Sequence, residues 1–306
     1  MNYKRGRNIS LVFLALVSVV LLLLSTPYVQ TQLAQKLTQR LNTSLETGIT
    51  VGKTKINYKG NIVLKDLIAR DHHGDTLFFI KAFTTNAKGV RELVAGNLKF
   101  SNAATENVYV KIIHYQGEAT SSLGQFINKL KARKKRNENP LLFNVAALAV
   151  TGGELFWDNR NNQQQQRITN LQLEASDFIL RGNELSTTIA EATMNWDNNL
   201  QLKAFQGKFK SSPTSIALTA ATMETASSAF DGDIELNYPL GGLSAFASKV
   251  TIDATVAQLS LGEDVQQLLI NKTLEHPLTG AFQLKGTLND FKLSKARLRY
   301  QAPVFQ

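Results

Sequence analysis

Four histidines, His72, His73, His114 and His276, are the side chains in this chain best suited to proton transfer or metal binding. Two of them are adjacent, in the string Arg70-Asp-His-His-Gly-Asp75 between two apolar segments. Histidine beside aspartate could ligate a divalent cation. Asp-x-x-Gly, however, is ordinary turn chemistry, and no third ligand with recognisable spacing is present. The string therefore reads as a turn, and no metal ligand is assigned. Nucleophilic chemistry fares no better. Cysteine is absent, which removes thiolate metal sites, disulfides and a cysteine nucleophile together. His-Glu-x-x-His, a nucleotide-binding glycine loop and Gly-x-Ser-x-Gly are all missing. The pairs Gly152-Gly153 and Gly241-Gly242 lack the helix that a phosphate cradle needs after them. The expectation is a protein with no catalytic residue and no cofactor, and not an enzyme.

Charge and hydropathy are more informative. The formal net charge is +10, but it is concentrated. Lys4, Arg5 and Arg7 precede a charge-free apolar run over residues 9–25, and Lys129, Lys131, Arg133, Lys134, Lys135 and Arg136 form a second group. The rest is close to balanced, so no nucleic-acid partner is expected. The second group reads as a solvated loop, with a patch for anionic lipid headgroups as the alternative. A basic flank and an apolar run of this length describe either a secretory signal or a membrane anchor. Signal peptidase requires small residues at −3 and −1, and the nearest candidate, Ser25, has Leu23 two positions before it. The run thus reads as an uncleaved anchor, over 1–26 with its basic tail. The positive flank stays inside, which places the bulk of the chain across the inner membrane, in the periplasm.

Helices and strands beyond the anchor must position the remaining side chains. Thr26 and Pro27 suit a helix start, Val29, Leu33, Leu37, Leu41 and Leu45 recur every fourth residue, and Gly48 suits the end. This predicts an amphipathic helix over 27–48 that lies on the membrane or lids the end of a sheet. Its glutamine-rich, lysine-poor polar face favours the lid. From residue 49 onward, period-two patterning predicts a mainly β chain of roughly sixteen short strands. Val108, Val110 and Ile112 alternate with Tyr109 and Lys111, and Leu171 and Leu173 alternate with polar neighbours. A recurring device places Gly207, Gly232 and Gly286 each between apolar residues two positions away. Glycine inside a strand permits a bend or a close approach, so its recurrence predicts a curved sheet. Short helices are expected around Val90, around Leu123 and Phe126, and around Val265 and Leu268. A polar hairpin loop is expected over 159–166. The basic group separates a first β segment, 49–136, from a second, 137–306.

Several strings in this order resemble the TamB/AsmA-like proteins of Gram-negative envelopes, particularly the TamB-like translocation and assembly module proteins of Bacteroidota. They are Pro27-Tyr-Val-Gln30, Ile49-Thr-Val-Gly-Lys-Thr-Lys-Ile56, Ile62-Val-Leu-Lys-Asp-Leu-Ile-Ala-Arg-Asp71 and Gly74-Asp-Thr-Leu77. Val90-Arg-Glu-Leu-Val-Ala-Gly96 before Leu98-Lys-Phe100, Gly153-Glu-Leu-Phe-Trp-Asp158 and Leu284-Lys-Gly-Thr-Leu-Asn-Asp-Phe291 add to the likeness. Members of that group are several times longer, so the chain reads as the N-terminal part of such a protein. The resemblance implies a membrane-anchored, long and curved antiparallel β-sheet groove, β-taco-like, lined with apolar side chains. It also implies a role in outer-membrane biogenesis, through lipid transport or through translocation and assembly of outer-membrane proteins. The implied partners are phospholipid acyl chains, the inner membrane and an outer-membrane β-barrel protein. Candidate groove-lining residues are Ile62, Leu64, Val108, Val110, Ile112, Leu171 and Leu173. The alternative is an anchored β-sandwich that recruits an envelope protein through an exposed sheet edge.

Overall fold

A computed structural model describes residues 28, 31, 32, 35, 39, 48–56, 61–87, 97–131, 142–181, 183–197, 200–240, 242–270 and 277–300. The anchor predicted over 9–25, the short helix predicted around Val90, the charges from Arg133 to Arg136, and His276 lie outside these residues. Among the described residues no helix is long and apolar enough to cross a membrane.

The fold is mainly β, as the alternation predicts. Its strands are β1 (Thr50–Ile56), β2 (Asn61–Arg70), β3 (Thr76–Ala87), β4 (Asn97–His114), β5 (Leu142–Asn159), β6 (Gln164–Arg181) and β7 (Glu184–Trp196). They continue with β8 (Leu200–Leu202), β9 (Ala204–Ser211), β10 (Ser215–Glu224), β11 (Ala229–Asn237), β12 (Thr251–Leu261), β13 (Leu278–Thr287) and β14 (Asp290–Tyr300). All fourteen belong to one open sheet that follows chain order from β1 to β14, with the short β8 hanging on β7 outside the path. The described strands are fewer and longer than the sixteen predicted, because β4, β5 and β6 each run for 18 residues. β1 and β14 remain as two separate edges, so the described chain forms one open sheet and not a pair of packed sheets.

One pairing departs from the antiparallel expectation. β4 and β5 run parallel, in register from Asn97 opposite Leu142 to His114 opposite Asn159. Parallel neighbours need a crossover that returns the chain to its starting end, and hairpin patterning gives no warning of one. Helix α1 (Ser122–Lys131) lies in that crossover. Its start is capped by Ser121, whose Oγ accepts from Gly124 N at 3.3 Å. The sheet thus continues past the basic group that was expected to separate two β segments.

Where buried residues gather, a helix or a twist covers the sheet. Phe126 of α1 packs on Ala69 and Leu77, with Ile49, Phe78 and Leu123 around them. The rings of Phe78 and Phe126 meet edge to face at 6.0 Å. A second cluster joins Phe100, Ala103 and Val145 to Phe83, Leu148 and Phe178. Helix α3 (Glu263–Ile270) is fastened to the β10–β11 turn, while a 3-10 turn (Gly242–Ala245) and the short α2 (Phe246–Lys249) lie between β11 and β12. Tyr28, Thr31, Gln32, Gln35 and Gln39 are helical, as the fourfold leucine spacing predicts. Thr31 Oγ1 donates to Thr54 O at 3.2 Å and accepts from Thr54 N at 3.1 Å, which docks this helix on the free edge of β1. Thr31 thus meets an edge strand, whose outer backbone groups otherwise face solvent.

Candidate functional site

The feature with the widest reach is a continuous, largely apolar face. Residues directly opposite in neighbouring strands share a face. One such row runs Leu64, Phe83, Thr105, Val150, Leu173 and Ala192 across β2 to β7. Another runs Phe209, Leu218, Ile234, Ala254, Leu284 and Leu293 across β9 to β14. β7 belongs to both, since its Thr187 stands opposite Phe209. The opposite face is polar and exposed, with Lys65, Glu106, Glu174, Lys208, Asp231, Asp253 and Lys285 on it. There Lys285 Nζ and Asp253 Oδ2 pair at 3.0 Å.

Strands this long cannot keep one face apolar by simple alternation through their bends. In β6 the apolar positions facing this row are Ile168, then Leu171, Leu173 and Ala175, then Phe178 and Leu180, with Ile179 turned the other way. The phase changes at Asn170 and Asp177, whose φ angles are 55° and 52°. A left-handed residue inside a strand puts the side chains before and after it out of step, as in a β-bulge. In β10 a register shift falls at Ala220 (φ 49°), between Leu218 and Ala221, whereas β4 carries a left-handed Asn107 (φ 49°) with its pairing to β3 and β5 unshifted there. These positions lie at different heights in the sheet, Asn170 and Asp177 being seven residues apart in β6. Gly152 (φ 69°) lies beside Asn107, so close that an added Cβ would sit 2.8 Å from Asn107 Oδ1. Gly207 and Gly232, singled out by their spacing, stand at register shifts in β9 and β11 against the backbones of Ala221 and of Thr255 and Val256. Gly286 has φ 139° beside the β13–β14 turn.

All seven candidate groove-lining residues are half-buried in sheet strands. Leu64 and Leu173 lie in the first row, and Ile62 faces Thr85 one step along. Val108 faces Ile80, Val110 faces Phe78 and Leu155, Ile112 faces Trp157, and Leu171 faces Gly153. Within this set Leu64 and Leu173 stand in the first row of the apolar face, while Val110 meets β3 at Phe78, five positions from Phe83. Toward β11 and β12 the surface deepens into an apolar cavity of about 170 Å³, lined among others by Leu218, Phe230, Ile234, Leu259 and Val265 of α3. At the β14 edge Phe291, Leu293 and Leu298 are 42 to 50 % exposed, so the apolar face reaches solvent there.

A second constellation occupies one end of the sheet, where the β2–β3 turn, the segment after β4 and the β5–β6 turn meet. The string with paired histidines is a turn, as predicted: Asp71 Oδ1 accepts from His73 N and Asp75 N, both at 2.9 Å, and Gly74 has φ 87°. The turn also aims both imidazoles at one carboxylate. His72 Nε2 lies 3.0 Å from each oxygen of Glu118, and His73 Nε2 lies 2.8 Å from Oε1. Gln125 of α1 donates to Glu118 Oε2 at 2.6 Å. Hydrogen bonds from His72 and His73 hold the Glu118 carboxyl below the ordinary carboxylate range. Beneath them Tyr115 is buried, its ring 4.0 Å from that of His73 and 5.4 Å from that of His72. Its hydroxyl lies 2.7 Å from Asp71 Oδ2 and 2.9 Å from Asp75 Oδ2. Burial, then these hydrogen bonds to two carboxylates, push the phenol well above its ordinary pKa. Arg160 covers the ring from the β5–β6 turn at 4.8 Å.

Glu118 carries no sequence signal, because it lies 46 positions after His72 and only the β3–β4 register brings it back. No family model and no curated protein matches this chain. The TamB/AsmA reading therefore rests on the resemblance of its sequence strings.

Proposed function

We propose that this chain is a TamB/AsmA-like, membrane-anchored envelope protein whose curved sheet carries lipid acyl chains along its apolar face. The observation that supports this best is the largely apolar face across twelve strands, β2 to β7 and β9 to β14, with no second sheet packed on it among the described residues. At about 4.8 Å per strand the face extends for about 58 Å, and each Å² of apolar chain sheltered there gains about 25 cal/mol. Bulges in successive strands bend the sheet, and a bent sheet with one apolar face is a trough for a flexible hydrocarbon. The reading places the chain in the inner membrane with its bulk in the periplasm. It assigns the chain to outer-membrane biogenesis, by lipid transport or by assistance to outer-membrane protein assembly. No residue is catalytic in it.

Photo-crosslinking tests it. A photoreactive amino acid at Leu173, on the apolar face, should capture phospholipid in cells, and the same group at Glu174, its neighbour on the polar face, should capture none. Mass spectrometry of the purified protein should find lipid bound to the unmodified chain. Equal capture at both positions, or a lipid-free protein, would remove the reading.

A further inference from the structure

We propose that His72, His73 and Glu118 form a binding site for a divalent transition-metal cation of the zinc class, which clamps the segment after β4 to the β2–β3 turn. The proposal stands on side-chain geometry at one end of the sheet and is independent of the lipid reading. One ligating atom from each residue lies within 4.8 Å of the others. Around tetrahedral zinc, with bonds of about 2.0–2.2 Å, neighbouring ligand atoms are about 3.3 Å apart. The two imidazole nitrogens stand 2.8 and 3.0 Å from Glu118 Oε1. A cation could thus enter the triangle with shifts of about 1.5 Å or less, replacing the hydrogens now shared between nitrogen and oxygen. Two imidazoles and one carboxylate are the ligand set of zinc, nickel and copper, and a poor one for magnesium or calcium, which take oxygen.

The surroundings are those of a held site. Metal-ligating side chains are oriented by partners one step further out. Gln125 fixes the carboxylate through Oε2, and the buried Tyr115 ring packs on both imidazoles. His114 Nε2 contacts Glu118 O at 2.8 Å, which fixes the backbone that carries the carboxylate. His73 keeps 49 % of its side chain exposed, which leaves coordination positions open to water. Because Gln125 belongs to α1, a cation here would tie three pieces of chain together: the turn, the loop and the helix that covers Ala69 and Leu77.

The test is a zinc titration of the full chain in detergent micelles, stripped beforehand with a chelator and followed by calorimetry. One saturable site is expected, with a rise in melting temperature on zinc addition. His73→Ala and Glu118→Gln should each weaken binding at least about tenfold, and Gln125→Ala about tenfold, as loss of an orienting partner does. Asp253→Asn, on the polar face, should leave binding unchanged. His73→Asn, at an exposed turn position, serves if the alanine variant folds poorly. Cobalt in place of zinc should give visible absorption bands that are lost in His72→Ala. Absence of saturable binding, or a His72→Ala/His73→Ala double variant that binds zinc as tightly as the parent, would overturn the proposal.

Discussion

At Asp264 four donors converge on one carboxylate. Ser227 Oγ and Ser228 Oγ each donate to Oδ1 at 2.6 Å, Val265 N donates to it at 2.8 Å, and Ser227 N donates to Oδ2 at 3.1 Å. Burial opposes ionisation here, but the serine hydroxyls and backbone outweigh it and hold the carboxyl well below the usual carboxylate range. A depressed pKa stabilises the fold above the unfolded value, near about 3.9, and that contribution fades as pH falls toward the folded value. Asp264→Asn should therefore cost about 1–3 kcal/mol at neutral pH, as loss of charge-assisted bonds to a buried turn does. The gap between parent and variant should narrow below about pH 4. Urea unfolding at several pH values checks this, and a gap constant down to about pH 3 would show that the charge does not matter. The contact also explains how α3 is placed: its first turn is the acceptor that satisfies the β10–β11 turn.

Within the strands, the left-handed residues decide how the fold tolerates substitution. Ala220 holds φ 49°, a conformation that costs a residue with a Cβ about 1–2 kcal/mol and glycine almost nothing. Its N–H, turned out of the ladder, is satisfied by Asp233 Oδ1 at 2.7 Å, so the position is kept in place from the next strand. Ala220→Gly should stabilise the protein by about 0.5–1 kcal/mol, after the offset from a more flexible unfolded chain. Gly152→Ala should do the opposite, since φ 69° and the approach of Asn107 both penalise a Cβ, and a loss above about 1 kcal/mol is expected. Denaturation midpoints of the two variants measure both signs. A stabilised Gly152→Ala would show that neither the left-handed backbone nor Asn107 constrains this position.

As a whole molecule, an open sheet has an exposed edge and an uncovered face to manage. The docked helix covers β1 at Thr54. Among the described residues β14 pairs with β13 alone, and it carries Phe291, Leu293 and Leu298 at 49, 42 and 50 % exposure. An apolar edge strand is a template for pairing with another chain. Without detergent or lipid, this chain should self-associate with increasing concentration, and Leu293→Lys with Leu298→Lys should suppress that. Lysine on an edge is a common guard against strand addition. Sedimentation velocity distinguishes the cases, and unchanged self-association of the double variant would place the contact elsewhere. The opposite face needs no such guard, because Lys285, Asp253 and Glu235 keep it solvated.

Composition and spacing were enough to read the β class, the helices around Phe126 and Val265, the helix that docks on β1 and the turn at Asp71, because each depends on neighbours within a few positions. Gly207 and Gly232, singled out by their spacing, stand at register shifts where the neighbouring backbone comes close. Three things were out of reach. The parallel pairing of β4 with β5 depends on where a crossover returns the chain, and period-two patterning is the same for either direction. The left-handed backbone at Asn107, Asn170 and Ala220 leaves no spacing pattern to read, since asparagine takes that conformation in ordinary turns as well and alanine seldom takes it at all. Glu118 met His72 and His73 only through the register of β3 against β4, since a ligand set assembled across strands leaves no spacing to read. Local chemistry determined the elements; the hydrogen-bonded order of the sheet decided which side chains share a surface.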